Sequence, residues 1–234
     1  MKNTIQNKTK LVNSVFAKVN KKYDLMNDIM SFGVHRVWKR KLLDWMQPQT
    51  NNTLLDVASG TGDIAKLFSK KINGSAAICC VEPNDKMYET GKKNLKKYTN
   101  IKWFQASAEK LPFNDNIFDF YSISYGIRNV SDINLTLKEA FRVLKPGGRF
   151  MCLEFSKVNN EIINIFYQKY SKIIPLIGKY IVGSSEPYDY LVKSINEFHS
   201  QSDLVNLIKK NGFSNVEYRN LNNGISAIHS GWKI

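Results

Sequence analysis

The sequence has no apolar stretch long enough to cross a membrane. Its longest unbroken apolar run, Ala76–Val81, is far shorter than the roughly 18 residues that a transmembrane helix requires. The basic amino terminus also lacks the apolar core, roughly 7–15 residues long, that a secretory signal places behind its basic residues. These absences predict a cytoplasmic protein.

Cysteine is also scarce, with three in 234 residues, and no Cys-x-x-Cys motif is present. Cys79 and Cys80 are adjacent, so in a strand they would point to opposite faces and could not easily pair. An odd number of cysteines without a pairing pattern favours a reducing compartment.

Arginine is rare among the basic residues, although the formal net charge is +14. Only six of the 34 basic residues are arginine, the usual reader of bases and phosphates, so we expect no nucleic-acid partner. Residues 1–46 hold half of the excess charge, with ten basic and three acidic side chains. This segment is interpreted either as a solvated surface or as a peripheral contact with the anionic inner face of a membrane.

Short apolar runs alternate with amphipathic stretches from residue 54 onward. This alternation predicts a parallel sheet with helices on both faces. Strands are predicted at Leu54–Ala58, Ala76–Glu82, Ile101–Ser107, Ile117–Tyr125, Arg149–Phe155, Asn215–Leu221 and Ile225–His229. Helices are predicted at Ile64–Ile72, Asp85–Tyr98, Ile133–Leu144 and 201–211.

The last two predicted strands are joined only by the turn 222–224, which is too short for a parallel crossover. The fold predicted is therefore α/β: a doubly wound, mostly parallel seven-stranded sheet with a C-terminal antiparallel hairpin. This Rossmann-like arrangement is typical of class I S-adenosylmethionine-dependent methyltransferases. No internal repeat or linker divides the chain, so we expect one domain over 1–234, with a helical cap at 11–46 and a helical insertion at 157–199.

A glycine turn and a following acid predict a site for a nucleotide-like cofactor. Gly60 and Gly62 lie between a predicted strand and helix, where glycine allows a tight turn and the helix start offers free N–H groups. Glu82 ends the next predicted strand, where a carboxylate can accept hydrogen bonds from both ribose hydroxyls. The same spacing also satisfies the dinucleotide fingerprint, with Ala65 in its last place.

Further features favour S-adenosylmethionine over a dinucleotide. Asp56 lies inside the strand, four residues before Gly60, as in the D-x-[GA]-x-G-x-G pattern of methyltransferases. A carboxylate is useful beside an amino acid and a sulfonium, whereas a pyrophosphate does not need one. Ser107 and Ala108 follow the third strand, where methyltransferases contact the adenine. Asp56 as a merely buried cap remains the alternative.

Six stretches of the chain match motifs of known proteins. They are KYDLMNDIMSFGVHRVWKR (22–40), LDVASGTGD (55–63), AEKLPF (108–113), YGIRNV (125–130), RVLKPGGRFMCLEFS (142–156) and GISAIHSGWK (224–233). The glycine motif and LKPGG are shared by many methyltransferases, whereas the first stretch, and GIRN together with LEFS, are much more specific. On these stretches the chain resembles the ubiquinone/menaquinone biosynthesis C-methyltransferase family over about residues 15–233.

The resemblance implies methyl transfer from S-adenosylmethionine to a ring carbon of a polyprenylated quinol. The acceptor would be demethylmenaquinol, a 2-polyprenyl-6-methoxy-1,4-benzoquinol, or both. The family's cofactor positions fall on Thr61, Glu82, Ser107, Ala108 and Ser124. The sequence departs from the family where Glu82 replaces the usual Asp and Ser107 the usual Asn.

Methylation of a quinol carbon requires removal of a phenolic proton, which a nearby cation can promote by lowering the pKa of the phenol. Arg128 is the candidate cation and Asn129 the candidate for orienting the hydroxyl, because both follow the fourth strand. A structural salt bridge is the alternative for Arg128. Tyr23 and Asp24 are candidates for the proton path, or for holding the cap. His35 is expected at the surface, and no metal-ligand cluster is predicted.

The insertion at 157–199 is dense in isoleucine and tyrosine. It is interpreted either as a lid that lines a prenyl channel and rests on a membrane, or as helices packed on the sheet or on another subunit. A homo-oligomer or a quinone-synthesis complex is thus a further expectation.

Two other functions stay open. One is a nucleic-acid methyltransferase, although the Asn/Asp-Pro-Pro-Tyr/Phe and Pro-Cys motifs of such enzymes are missing. The other is a non-catalytic subunit of a quinone-synthesis complex.

Overall fold

The computed structural model describes residue 28, residue 31 and the ranges 33–158 and 185–234. The catalytic candidates Tyr23 and Asp24 and most of the predicted insertion lie outside the described residues. Within the described part, no helix is both long and apolar enough to cross a membrane.

Seven strands form one sheet in the order β3-β2-β1-β4-β5-β7-β6. The strands β1 to β5 pair in parallel, and β7 lies antiparallel between β5 and β6. The predicted mostly parallel sheet with its antiparallel hairpin is thereby confirmed. The strands are β1 Leu54–Val57, β2 Ile78–Val81, β3 Ile101–Phe104, β4 Phe118–Ser124, β5 Leu144–Phe155, β6 Ser214–Leu221 and β7 Ser226–Trp232.

The described residues form six α-helices and two short 3-10 turns. The helices are α1 His35–Met46, α2 Asp63–Lys71, α3 Asp85–Asn94, α4 Ile133–Val143, α5 Glu186–Glu197 and α6 Gln201–Lys210. The 3-10 turns are Ile127–Asn129 and Asn222–Gly224. The predicted Lys-rich helix ends at Asn94, four residues before Tyr98, and the third strand ends at Phe104.

The core has two halves, one on each face of the sheet, because alternate strand residues point to opposite faces. On one face α1, α2 and α5 cover a cluster that includes Trp38, Phe68, Phe155 and Tyr188. On the other face α4 and α6 cover a cluster that includes Leu137, Tyr121, Phe150 and Ile208. Helices therefore flank both faces, as the sequence predicted.

The stretch Lys145–Gly148 was expected to separate a helix from a strand that starts at Arg149. Instead α4 ends at Val143 and β5 already begins at Leu144. Leu144 pairs with Phe118, and the register then shifts before Arg149 pairs with Phe120. The glycines and proline therefore form an irregular part of the strand, where extra residues can be accommodated without ending the pairing.

Candidate active site

The turn after β1 brings backbone N–H groups to the carboxyl edge of the parallel strands. Gly60 and Gly62 have φ angles of 57° and 88°, a region that favours glycine. A Cβ on Gly62 would lie 2.5 Å from Leu95 Cδ1. Gly62 caps α2 at its amino end, so the free N–H groups of that helix face the same edge of the sheet.

Glu82 links the end of β2 to this turn. One carboxylate oxygen accepts a hydrogen bond from Gly60 N at 2.9 Å, and the other accepts one from Asn84 N at 3.0 Å. Burial raises the pKa of Glu82 to about 7, and the two backbone donors offset only part of that effect. The acid that spacing alone singled out therefore lies beside the glycine turn.

Asp56 lies at the base of the same edge and is almost fully buried. Its Oδ1 accepts a hydrogen bond from Ser122 Oγ at 2.6 Å, whereas its Oδ2 has no partner in the described part of the chain. Burial raises the pKa of Asp56 to about 7. Ser124 Oγ, at the end of the neighbouring strand, is likewise buried without a partner among those residues. Two buried polar atoms without a partner in the described residues thus lie on adjacent strands, which is unusual in folded proteins.

A small cavity of about 20 Å³ lies where β1 and β4 end, and the residues that line it come from three parts of the chain. Its lining comprises Lys39, Asp56, Ala58, Ser59, Gly60, Thr61, Asp63, Ile64, Ser124 and Tyr125. The candidates Asp56, Gly60, Thr61 and Ser124 are therefore brought together.

Lys39 is a residue of the site that sequence reasoning missed. It reaches in from α1, is buried, and places Nζ 2.7 Å from Asp63 Oδ2 at the start of α2. Burial tends to raise the pKa of Asp63, but the Lys39 ammonium outweighs burial, and the pKa lies below its ordinary value. The narrow amino-terminal motif that contains Lys39 was the available signal.

His35 is buried, and the expected surface position is wrong. Its Nε2 lies 2.8 Å from Asp28 Oδ1, and burial together with the Lys39 ammonium lowers its pKa. The physical reason is helical spacing: His35 shares the inward face of α1 with Trp38 and Leu42, three and seven residues further on.

A strained turn follows β4. Ala58 and Tyr125, which directly follow β1 and β4, both have positive φ angles, 52° and 57°. Such angles are unfavourable for residues with a Cβ, and strained residues of this kind cluster at functional sites. Gly126, which follows Tyr125, packs closely against Ala58, because a Cβ on Gly126 would lie 2.5 Å from Ala58 Cβ. This close approach holds the turn 125–129 against the cavity.

Arg128 lies in this turn and forms a buried ion pair with Glu154, near the end of β5. Its Nη1 also donates to Tyr125 O at 3.0 Å. Burial raises the pKa of Glu154, and the Arg128 charge opposes that shift. The salt bridge that was the alternative for Arg128 is therefore present, and the acid of the LEFS motif is its partner.

Asn129 is held by a residue from the carboxyl-terminal half of the chain. Tyr190 on α5 donates its hydroxyl to Asn129 Oδ1 at 2.9 Å. Burial raises the pKa of Tyr190. Tyr190 was not singled out from the sequence, because no local pattern shows that α5 packs on this turn.

Ser107 and Ala108 follow β3 at the same edge of the sheet, outside the cavity lining. Ala108 is buried, whereas Ser107 is exposed and bridges to Lys110. Next to them, Glu109 accepts a hydrogen bond from Ser131 N at 2.6 Å, which ties this loop to the turn after β4. Within the described residues no group of three or more His, Cys, Asp and Glu side chains is arranged to hold a metal ion.

Solved structures show the fold to be that of known methyltransferases. A SAM-dependent methyltransferase from Thermotoga maritima matches with a TM-score of 0.68 at 20% identity, covering 94% of this chain and 99% of that chain. A phosphoethanolamine N-methyltransferase of Haemonchus contortus, solved with S-adenosylhomocysteine, matches with a TM-score of 0.63 at 14% identity, covering 84% and 52%. The chain has the fold of S-adenosylmethionine-dependent methyltransferases.

Sequence comparison narrows this class. The model of the ubiE/COQ5 methyltransferase family matches residues 3–233. The ubiquinone/menaquinone biosynthesis C-methyltransferase UbiE of Rickettsia bellii is 51% identical, covering 97% of this chain and 94% of the relative. UbiE of Brucella abortus is 48% identical, covering 96% and 86%. The chain belongs to the ubiE/COQ5 methyltransferase family, and the resemblance inferred from its motifs is confirmed.

The raised pKa values of Asp56 and Glu82 have a measurable consequence for the free protein. In the folded state each carboxyl keeps a proton up to about pH 7, whereas the unfolded chain releases it near its ordinary pKa of about 4. These two groups therefore lower the free energy of unfolding as the pH rises between about 4 and 7, by of order 1 kcal/mol per pH unit for each group. The lowered pKa values of the buried His229 and His35 oppose part of this fall.

We expect Asp56→Asn and Glu82→Gln each to flatten this decline in urea unfolding measured from about pH 5 to pH 8. Asp44→Asn, which changes an exposed carboxylate, is the control and should keep the wild-type slope. If the free energy of unfolding depends on pH in the same way in the wild type and all three variants, Asp56 and Glu82 do not have the raised pKa values assigned to them.

Proposed function

We propose that this protein transfers a methyl group from S-adenosylmethionine to a ring carbon of a polyprenylated quinol in ubiquinone or menaquinone biosynthesis. The observation that carries the proposal is about 50% identity, over nearly the whole chain, to proteins named for this C-methylation. The cavity at the ends of β1 and β4 supports it, because its unpartnered buried groups suit a polar cofactor.

The polar groups in and beside this cavity, rather than its volume of about 20 Å³, suit S-adenosylmethionine. At its amino-acid end, the ionised Asp56 would accept a hydrogen bond through Oδ2, and Ser124 Oγ would accept or donate one. Lys39 and the N–H groups around Thr61 would donate. Glu82 would accept hydrogen bonds from the ribose hydroxyls, and Ser107 and Ala108 would border the adenine. When bound, the cofactor supplies an electrophilic methyl group.

The remaining candidates belong to the substrate side. The quinol ring must lose a phenolic proton to become a carbon nucleophile, and it must be held in line with the methyl group. The Arg128 guanidinium is partly neutralised by Glu154, so its main contribution is to fix the turn that carries Asn129. We assign orientation of the phenol to the Asn129 amide, which Tyr190 in turn holds. Tyr23 and Asp24 remain proposed members of the proton path.

The reaction is tested with labelled S-adenosylmethionine and short-chain demethylated benzoquinols and naphthoquinols. Because only a hydroquinone can give a phenolate, we expect label in the ring of the reduced acceptors and none in the oxidised quinones. The preferred ring identifies the natural acceptor. Normal cofactor binding without transfer to either reduced ring would refute the proposal in favour of a nucleic-acid methyltransferase or a non-catalytic subunit.

Arg128→Lys tests the substrate-side role of the turn. It keeps a cation but loses the planar fork that bonds both Glu154 and Tyr125 O. We expect at least a roughly tenfold loss of kcat with cofactor Kd unchanged. The double variant Arg128→Met/Glu154→Leu removes both charges and avoids leaving one buried charge unpaired, so it controls for folding. If cofactor binding weakens in parallel with turnover, the substrate-side role is refuted and Arg128 has a structural role.

We also propose peripheral contact with an anionic membrane surface, where a polyprenylated substrate would reside. A basic groove between α1 and α2 borders the cavity and shares Lys39 and Asp63 with it. The other side chains that line the groove are His35, Arg36, Arg40, Lys66, Leu67 and Lys70. Four of these cations are exposed, and Arg36 already pairs with Asp28 at 2.9 Å. The other three, Arg40, Lys66 and Lys70, favour anionic headgroups, at about 1 kcal/mol for each basic residue near the surface.

Vesicle sedimentation tests this contact. Arg40→Gln/Lys70→Gln should lower the affinity for phosphatidylglycerol vesicles by about tenfold or more, since two surface charges are removed. The matched control Lys92→Gln/Lys102→Gln removes two exposed charges from α3 and β3 and should bind as the wild type does. Equal losses in both double variants would show general charge attraction and overturn the assignment to this groove.

A further inference from the structure

A second groove, of about 590 Å³, lies beside the hairpin and shares no residue with the cavity at the ends of β1 and β4. It runs between the carboxyl-terminal part of α1 and the strands β5, β6 and β7. Its lining comprises Lys41, Asp44, Trp45, Gln47, Arg149, Arg219, Asn220, Leu221 and Ile228. The volume is in the range of small-molecule sites, roughly 300–1,000 Å³.

Arg149 is a buried cation in this groove. Its Nε donates to Ser230 Oγ at 2.7 Å and its Nη1 to Trp45 O at 2.9 Å, so two neutral acceptors fix its orientation. Its nearest carboxylate is the half-exposed Glu217, 4.0 Å from Nη2, which is longer than a hydrogen bond. Burial lowers the pKa of Arg149, because the charge is poorly compensated.

Two further cations, Lys41 and Arg219, line the groove. Arg219 stacks its guanidinium 4.1 Å from the centre of the Trp45 ring, and Arg149 lies 5.0 Å from the same centre. Neither Lys41 nor Arg219 has an ion-pair partner in the described ranges, and Asp44 already pairs with Lys71 at 2.9 Å. Three positive charges are thus gathered in the groove, and Glu217, 4.0 Å from Arg149, is the one carboxylate of the described residues within ion-pair distance of any of them.

Like charges that lie close together repel one another, and burying one of them adds a desolvation cost. A bound anion would offset both costs. Guanidinium forks and an ammonium are the groups that bind phosphate, because they offer several charge-assisted hydrogen bonds to its oxygens. The apolar floor formed by Leu221 and Ile228 can accept the organic part of a phosphate ester. Trp45 holds both guanidinium groups in place by stacking.

We propose that this groove binds the phosphate group of an organic phosphate, at a site separate from that of methyl transfer. The phosphate lies among Arg149, Arg219 and Lys41. The group can come from a soluble phosphate monoester or from a phospholipid headgroup, and the two sources share this chemistry.

The probes are glycerol 3-phosphate and vesicles of phosphatidylglycerol or phosphatidylcholine, at constant ionic strength. Calorimetry measures the soluble ester and sedimentation the vesicles. Arg219→Gln is the test variant because Arg219 is exposed and its loss should leave folding intact, whereas Arg149 is buried. We expect at least a tenfold weaker interaction in Arg219→Gln. Lys102→Gln, which removes an exposed charge on β3, and the affinity for S-adenosylmethionine serve as controls and should not change.

Glycerol 3-phosphate binding that Arg219→Gln weakens supports a soluble ester. Vesicle binding that only Arg219→Gln weakens, without binding of the soluble ester, supports a headgroup. Wild-type protein that binds neither probe, or that binds them no better than Arg219→Gln does, would overturn the proposal.

Discussion

The hydrogen bonds to the Glu82 carboxylate are the interaction on which the rest of the site depends. They tie the glycine turn after β1 to the end of β2, so that two adjacent strand ends and the start of α2 keep a fixed relation. A buried carboxylate is costly unless donors surround it, and here both oxygens already have backbone donors. The same group can then accept further hydrogen bonds from a ligand without a change in the backbone.

Other strained or costly features converge on this edge of the sheet. Ala58 and Tyr125 take positive φ angles, Asp56 keeps an unpartnered oxygen in the described structure, and Arg128 is buried against Glu154. Each is unfavourable for stability alone, which is common where binding or catalysis fixes the arrangement. The large apolar clusters on the two faces of the sheet supply the stability that such a site requires.

How much the sequence could predict varied with the kind of contact. The hairpin was predictable because a three-residue connection allows only antiparallel pairing. Asp56 and Glu82 were predictable because their distances along the chain from Gly60 fix them at strand ends. Lys39 and Tyr190 were missed because α1 and α5 lie outside the strand–helix alternation, and no local pattern fixes how such helices pack. His35 was misplaced because its basic neighbours were given more weight than its helical spacing.

The dependence of cofactor binding on Glu82 and Asp56 is tested most directly by calorimetry of S-adenosylmethionine binding at about pH 6 in buffers of different ionisation enthalpy. Burial raises the pKa of Asp56 and of Glu82 to about 7, so both carboxyls hold protons in the free protein at that pH. A cofactor that is held by the ionised forms of Asp56 and Glu82 must displace the protons on these carboxyls. We therefore expect net proton release when the cofactor binds. Tight binding with no proton release, or with proton uptake, would contradict it.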